Sequence, residues 1–137
     1  MLDEINHTAV TFYHRQVIQM TKELYPKDYL IKQVIKAKHF IDDHFAENID
    51  LNNMAVEAHF SKFHFIRLFK SFYGESPYQY LISVRIENAK QLLQQNNCVT
   101  DVCFSVGFDS IPSFTLLFKK ITGYTPAAFK QKKRNFQ

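Results

Sequence analysis

Part of this chain is written twice. Ser61, Phe65, Leu68, Phe69-Lys70, Gly74, Pro77 and Tyr80 return as Ser110, Phe114, Leu117, Phe118-Lys119, Gly123, Pro126 and Phe129, each 49 residues later. Just upstream the interval is 48, because Met54-Ala55 matches Val102-Cys103. A repeated unit of this size must take the same local shape twice. The unit consists of a short apolar stretch, a break, a serine able to cap a helix, an amphipathic stretch and a stopping glycine. A short helix and a tight turn before a capped second helix is the helix-turn-helix plan.

The rest of the chain also carries a helical period. Val10, Tyr13, Val17, Met20 and Leu24 recur at alternating intervals of three and four before Pro26, which predicts an amphipathic helix. Ile31, Val34, Ile35, Ile41 and Phe45 predict a second helix ending near Asn48. Asp50 can cap a short helix through Leu51, Met54 and Ala55. Ser61 can cap the next, with a buried stripe of Phe65, Leu68, Phe69 and Phe72 and an αL stop at Gly74. Ser76-Pro77-Tyr78-Gln79 reads as a capping box with proline at the first helical position. It opens a long helix through Leu81, Arg85, Ala89, Leu92 and Leu93 that stops at Asn96-Asn97. A short helix through Val102 and Cys103 ends at Gly107, and Ser110 can cap another with stripe Phe114, Leu117, Phe118 and Ile121. Thr125-Pro126 opens a last short helix, and the basic run from Lys130 to Arg134 is expected to fray. No alternating strand pattern is present. The expected fold class is all-α: two helix-turn-helix subdomains joined by a long linker helix, with an extra N-terminal helix.

Composition narrows the function. A length of 137 residues suits one domain, or one domain and an arm. Only three glycines disfavour glycine-rich phosphate loops and Rossmann turns. The two cysteines, Cys98 and Cys103, make no disulfide scaffold and read as free thiols of a cytoplasmic protein. No apolar run is long enough for a membrane span, and the N-terminus lacks the pattern of a secretory signal. Charge is uneven. Residues 1–58 carry six Lys/Arg against nine Asp/Glu, a balance of −3, whereas residues 59–137 carry eleven against four, a balance of +7. A basic half points to an anionic partner, most often nucleic acid.

The second helix of each unit buries one stripe and presents the other. In helix 61–73 the presented stripe is Phe63, Ile66, Arg67 and Lys70, with His64 beside it. Arginine can pair bidentately with guanine O6 and N7, and Phe63 and Ile66 can meet thymine methyls or sugars. In helix 110–122 the matching stripe is Pro112, Thr115, Leu116 and Lys119, with Ile111 and Ser113 beside it, a surface far poorer in hydrogen-bonding groups.

Residues from about 30 to 132 resemble the DNA-binding domain of AraC/XylS-type transcription regulators. The resemblance rests on Ser61-Lys62-Phe63-His64-Phe65-Ile66-Arg67-Leu68-Phe69-Lys70, Gly74-Glu75-Ser76-Pro77, Tyr80, Arg85, Ala89 and Leu92-Leu93. It continues through Val106-Gly107-Phe108-Asp109-Ser110, Phe114, Phe118-Lys119-Lys120, Gly123, Thr125-Pro126 and Phe129. It implies seven helices in two helix-turn-helix subdomains bridged by a long helix, with both recognition helices entering successive major-groove segments of double-stranded DNA. One helical turn, about 34 Å, separates such segments, and a closer pair of helices requires bent DNA.

Carried over residue by residue, the resemblance gives a first reading surface of Phe63, His64, Ile66 and Arg67 and a second of Ile111, Pro112, Ser113, Thr115 and Leu116. The candidate DNA-binding set adds Ser61, Lys62 and Lys70 in the first unit and Ser110 and Lys119 in the second. The family commonly carries a polar or basic residue where this chain has Leu116, and polar residues at Ile111 and Pro112. Helix dipoles and Lys119 still serve phosphates there.

The resemblance also implies a first helix-turn-helix over about 50–73, a linker helix over about 77–95, a second helix-turn-helix over about 100–122 and a basic tail at 133–137. Such domains usually follow a sensory or oligomerisation domain. Residues 1–29 are then either the arm of a short, stand-alone member or the remnant of a preceding domain, and a start in mid-helix pattern favours the remnant. Activation is the family's commoner habit and brings RNA polymerase in as a partner. The stripe within residues 4–24 has coiled-coil spacing and offers self-association as a homodimer, with docking on its own domain as the alternative.

Other chemistry has little support. His39 and His44, and His59 and His64, are each five apart, which is not a metal-binding pair on one helix face, and neither cysteine has partners at zinc spacing. Asp42-Asp43 is most simply a solvated face. No metal, no cofactor, no membrane partner and no enzymatic activity are expected. The rivals to a sequence-specific DNA-binding regulator are a helical protein–protein module with a basic surface and a non-specific nucleic-acid binder.

Overall fold

The computed structural model describes residues 27–135, together with Phe12, Arg15, Gln16 and Gln19, which are helical. The helices from Lys27 onward are α1 (Lys27–His44), α2 (Leu51–Glu57), α3 (Lys62–Tyr73), α4 (Pro77–Gln94), α5 (Val99–Ser105), α6 (Ile111–Thr122) and α7 (Pro126–Asn135). Among the described residues there is no strand, so the fold is all-α. Val10, Tyr13, Val17, Met20 and Leu24, the stripe on which the expected N-terminal helix rests, lie outside the described residues.

Helix α1 buries Leu30, Val34, Ala37 and Ile41, one face at intervals of four, three and four. This corrects the expected stripe. Ile31 is only half-buried and Ile35 is 41% exposed. The true row starts one residue earlier and uses a small alanine where the eye passes to a larger neighbour. The helix also stops at His44, four residues short of Asn48.

The chain divides into two compact units. The first comprises residues up to Phe40 and Asp50–Pro77, the second Ile41–Ile49 and everything from Tyr78. In the first, α2 opens on a reciprocal cap: the Asn53 N–H donates to Asp50 Oδ1 and the Asp50 N–H to Asn53 Oδ1, each at 2.8 Å. Met54, Ala55, Ala58, Phe65, Leu68 and Phe69 are buried. In the second, Ile82, Ile86, Ala89 and Leu93 of α4 form a core with Val102, Cys103, Val106, Phe108, Phe114 and Phe118, and Phe45, Leu117 and Phe129 pack against it.

The repeat holds to the level of single hydrogen bonds. Helices α2 and α5 both have 7 residues and α3 and α6 both have 12. In the first turn the N–H groups of Ala58, His59 and Phe60 donate to Met54 O, Val56 O and Ala55 O at 3.2, 3.0 and 3.1 Å. Val106, Gly107 and Phe108 make the same bonds to Val102 O, Phe104 O and Cys103 O at 3.1, 3.2 and 3.1 Å, all 48 residues on. After the turn the interval is 49, with Phe65 N–H on Ser61 O and Phe114 N–H on Ser110 O. The extra residue in the second turn is therefore Asp109. Phe65 meets Phe69 edge to face at 5.7 Å and 67°, and Phe114 meets Phe118 at 5.6 Å and 65°. Gly74 and Gly123 end their helices at φ 78° and 85°, the left-handed cap that glycine adopts without strain.

Phe72 and Ile121, placed in the buried stripes, are both exposed. They hold the same place in the repeat, in the last turn before the capping glycine and beyond the core. Ser61 stands at the N-cap of α3, but its side chain makes no capping bond, whereas the Ser110 hydroxyl accepts from the Ser113 N–H at 3.3 Å. The run from Lys130 lies within α7, which continues through Asn135. Lys130 Nζ donates to Asn97 O at 2.9 Å, and Lys132 Nζ donates to the Tyr124 hydroxyl at 2.8 Å while lying 4.2 Å from that ring's centroid.

Candidate nucleic-acid interface

Burying Phe65, Leu68 and Phe69 leaves the opposite face of α3 outward. Phe63 is 58% exposed, Lys62, Arg67 and Lys70 are exposed, Ile66 is half-buried and Ser61 is exposed at the helix start. Phe63, Ile66, Arg67 and Lys70 stand at i, i+3, i+4 and i+7 of one helix face, so an apolar ring and two cations share one stripe. Lys62 adds a third cation at the first turn, where the uncompensated N–H groups of a helix favour an anion.

His64 departs from the expectation that it belongs to the reading surface. It is only 7% exposed and meets Phe60 edge to face at 4.8 Å, and its Nε2 is buried with no hydrogen-bond partner. Burial holds its pKa below the ordinary imidazole value, because removal from water disfavours the charged form. A ring so placed is part of the packing under α3.

The second surface matches the first position by position, at an interval of 49: Lys62 with Ile111, Phe63 with Pro112, His64 with Ser113, Ile66 with Thr115, Arg67 with Leu116 and Lys70 with Lys119. Leu116 is 70% exposed, Ile111, Pro112, Ser113 and Lys119 are exposed, and Thr115 and Ser110 are half-buried. The outward cations of α6 are Lys119 and Lys120, in its last turn. Its first two turns present apolar side chains, the Ser113 hydroxyl and the half-buried Thr115 hydroxyl.

Behind this surface the second unit is held by one buried cation. Arg85 is 8% exposed. Its Nε donates to Phe45 O at 2.7 Å, one terminal nitrogen (Nη2) to Glu47 O at 3.0 Å, and its guanidinium lies 5.7 Å from the Phe108 ring centroid. Desolvation lowers its pKa, opposed by Tyr78 and Asp109. Gly107, at φ 103°, fits against this arginine only because it has no side chain, since a Cβ there would stand 2.6 Å from Phe45 O and 2.8 Å from Arg85 Nε. In the sequence Arg85 stands out as the lone charge in the stripe Leu81, Arg85, Ala89, and the change of interval from 48 to 49 marks Asp109, but neither signal says what the residue touches.

Among the described residues no group of three or more His, Cys, Asp or Glu side chains could hold a metal ion, and no helix is long and apolar enough to cross a membrane.

The family described as a helix-turn-helix domain matches residues 54–132. AdaA of Bacillus subtilis, described as a bifunctional transcriptional activator and DNA repair enzyme, is 40% identical over 93 residues, covering 67% of this chain and 44% of that protein. PqrA of Proteus vulgaris, a probable transcription factor by its description, is 35% identical over 86 residues, covering 62% of this chain and 70% of that protein. The DNA-binding domain of the transcriptional factor AdpA, solved in complex with a target DNA, superposes with a TM-score of 0.73 at 28% identity, covering 76% of this chain and 95% of that one. The chain spans less than half the length of the first curated relatives it matches. By its matched stretch, its repeated units and its fold, the chain belongs to the AraC/XylS family of helix-turn-helix transcription regulators.

Proposed function

We propose that this chain is a sequence-specific double-stranded DNA-binding transcription regulator in which α3 reads bases and α6 mainly holds backbone. The carrying observation is the pair of equivalent positions Arg67 and Leu116, both outward, one a bidentate donor and the other an aliphatic chain. Phe63, Ile66 and Arg67 then contact base edges in one major-groove segment, and Ser61, Lys62 and Lys70 position the helix on phosphates. Ile111, Pro112, Ser113, Thr115 and Leu116 face an adjacent segment with little hydrogen-bonding capacity, and Ser110 and Lys119 anchor that helix. The AdpA domain, which was solved on its target DNA, supports DNA binding by this fold.

In this account residues 30–132 are the DNA-binding domain and act in the cytoplasm, with no catalytic role. Activation comes first as the regulatory output, as in the description of AdaA, with RNA polymerase as the protein partner. Residues 4–24 supply a homodimer contact that places two such domains on repeated half-sites and raises effective concentration. Sedimentation of the intact chain against one starting at Tyr29 tests that contact: two monomers at high micromolar concentration would remove it.

The DNA-binding assignment is tested by titrating labelled duplexes at several salt concentrations. Log K falls linearly with log salt in proportion to the phosphates neutralised. A selected duplex is bound well above a scrambled one at the same salt. Equal binding to both would leave a non-specific binder, and no duplex binding at moderate salt would leave a protein–protein module.

A further inference from the structure

Within the second unit an open cleft of about 450 Å³ lies beside α6. Its lining includes Arg85, Asp109, Tyr78, Phe104, Leu117 and Ser113. This volume falls in the range of small-molecule sites, and the exposed lining is more polar than apolar.

The two opposite charges of the cleft are incompletely used. A guanidinium has five N–H donors. Arg85 spends the side bearing Nε and Nη2 on Phe45 O and Glu47 O, which leaves the end of the fork, where a carboxylate can accept two parallel bonds. Asp109 is exposed and near enough to favour the charged guanidinium, but the two side chains form no ion pair with each other. Asp109 is also the residue by which the second turn exceeds the first, so the first unit has no counterpart to this pair.

One cation and one anion lining the same cleft without touching select against a ligand of either net charge. They favour a small molecule that carries both charges close together. Leu117 and Phe104 supply an apolar wall for its remaining atoms. We infer that this cleft is a binding site for a free α-amino acid, its carboxylate on Arg85, its ammonium on Asp109 and its side chain along Leu117 and Phe104. Ser113 lines the cleft and also belongs to the outward surface of α6, so an occupant lies directly against the proposed DNA-facing helix.

The experiment needs no DNA, so it fails or succeeds independently of the proposed function. The isotope-labelled full chain is followed by two-dimensional NMR while each proteinogenic L-amino acid is added in turn to millimolar concentration. At least one should shift the amides of Gly107, Asp109 and Ser113 saturably, with a Kd at or below about 1 mM. Its N-acetyl and carboxamide derivatives, which each lack one charge, should bind at least about tenfold more weakly, as should the parent amino acid to Asp109→Asn. Asp109 is exposed, so this variant keeps the fold even if Arg85→Lys does not. The inference is overturned if no amino acid moves those amides, or if either derivative or Asp109→Asn binds as tightly as the unmodified pair.

Discussion

Arg67 and Leu116 occupy one position in two copies of the same unit, each six residues beyond its N-cap serine, and both side chains point outward. Two helices of equal length, with matching aromatic pairs beneath them and the same glycine stop, therefore present different chemistry outward. The guanidinium can distinguish guanine from the other bases, and the leucine can only meet a thymine methyl or a sugar.

Arg67→Ala should cost about 1–3 kcal/mol on the selected site and relax the preference at one base pair. Leu116→Arg should do the reverse in the other half and add a guanine preference that the parent lacks. Competition titrations with single-base variants check both. An Arg67→Ala loss equal for selected and scrambled duplexes would remove this residue from base reading.

Lys119 lies at the far end of α6 with the charge suited to phosphate. Lys119→Ala should weaken all duplexes alike and reduce the salt slope by about one unit. A change confined to one sequence would instead assign it to base readout.

Two stability comparisons follow from the core. Phe69→Ala and Phe118→Ala should each cost about 3–5 kcal/mol, enough to threaten a marginal domain. Gly74→Ala meets nothing within 4 Å and should suffer only the strain of its positive φ, roughly 1–2 kcal/mol. Gly107→Ala adds a backbone oxygen at 2.6 Å to that strain and should be clearly worse. Chemical denaturation ranks the four. Equal losses at the two glycines would contradict the close approach of Arg85 and Phe45 to Gly107.

His64 makes stability depend on pH. Its folded-state pKa is depressed by burial, so on acidification the unfolded chain takes up this proton before the folded chain does. The unfolded state then binds more protons, and stability falls as pH drops through the ordinary imidazole value of about 6.5. His64→Phe should flatten that fall, measured as the denaturant midpoint between mildly acid and neutral pH. An unchanged slope would mean that the ring is hydrated in solution.

The repeat made most of this fold legible, because Phe65, Phe69, Phe114 and Phe118 are large, regularly spaced and followed by glycines that allow only one kind of stop. Legibility weakened where a small or amphipathic residue set the register. Ala37 carries the buried row of α1 although Ile35 is the more apolar choice, and Phe72 and Ile121 lie past the end of the core despite correct spacing. His64 sits at the border of two faces, and spacing alone cannot decide whether Phe60 draws it inward. The meeting of Arg85 with Phe45 and Gly107 joins segments far apart in the chain, so no local pattern announces it.

The most direct measurement is selection of bound sites from a random duplex pool with the intact chain. The enriched motif should be strongly constrained over one half, with a guanine opposite Arg67, and only loosely constrained over the adjoining half that faces Leu116. Equal information in both halves, or no enrichment at all, would contradict this asymmetric readout.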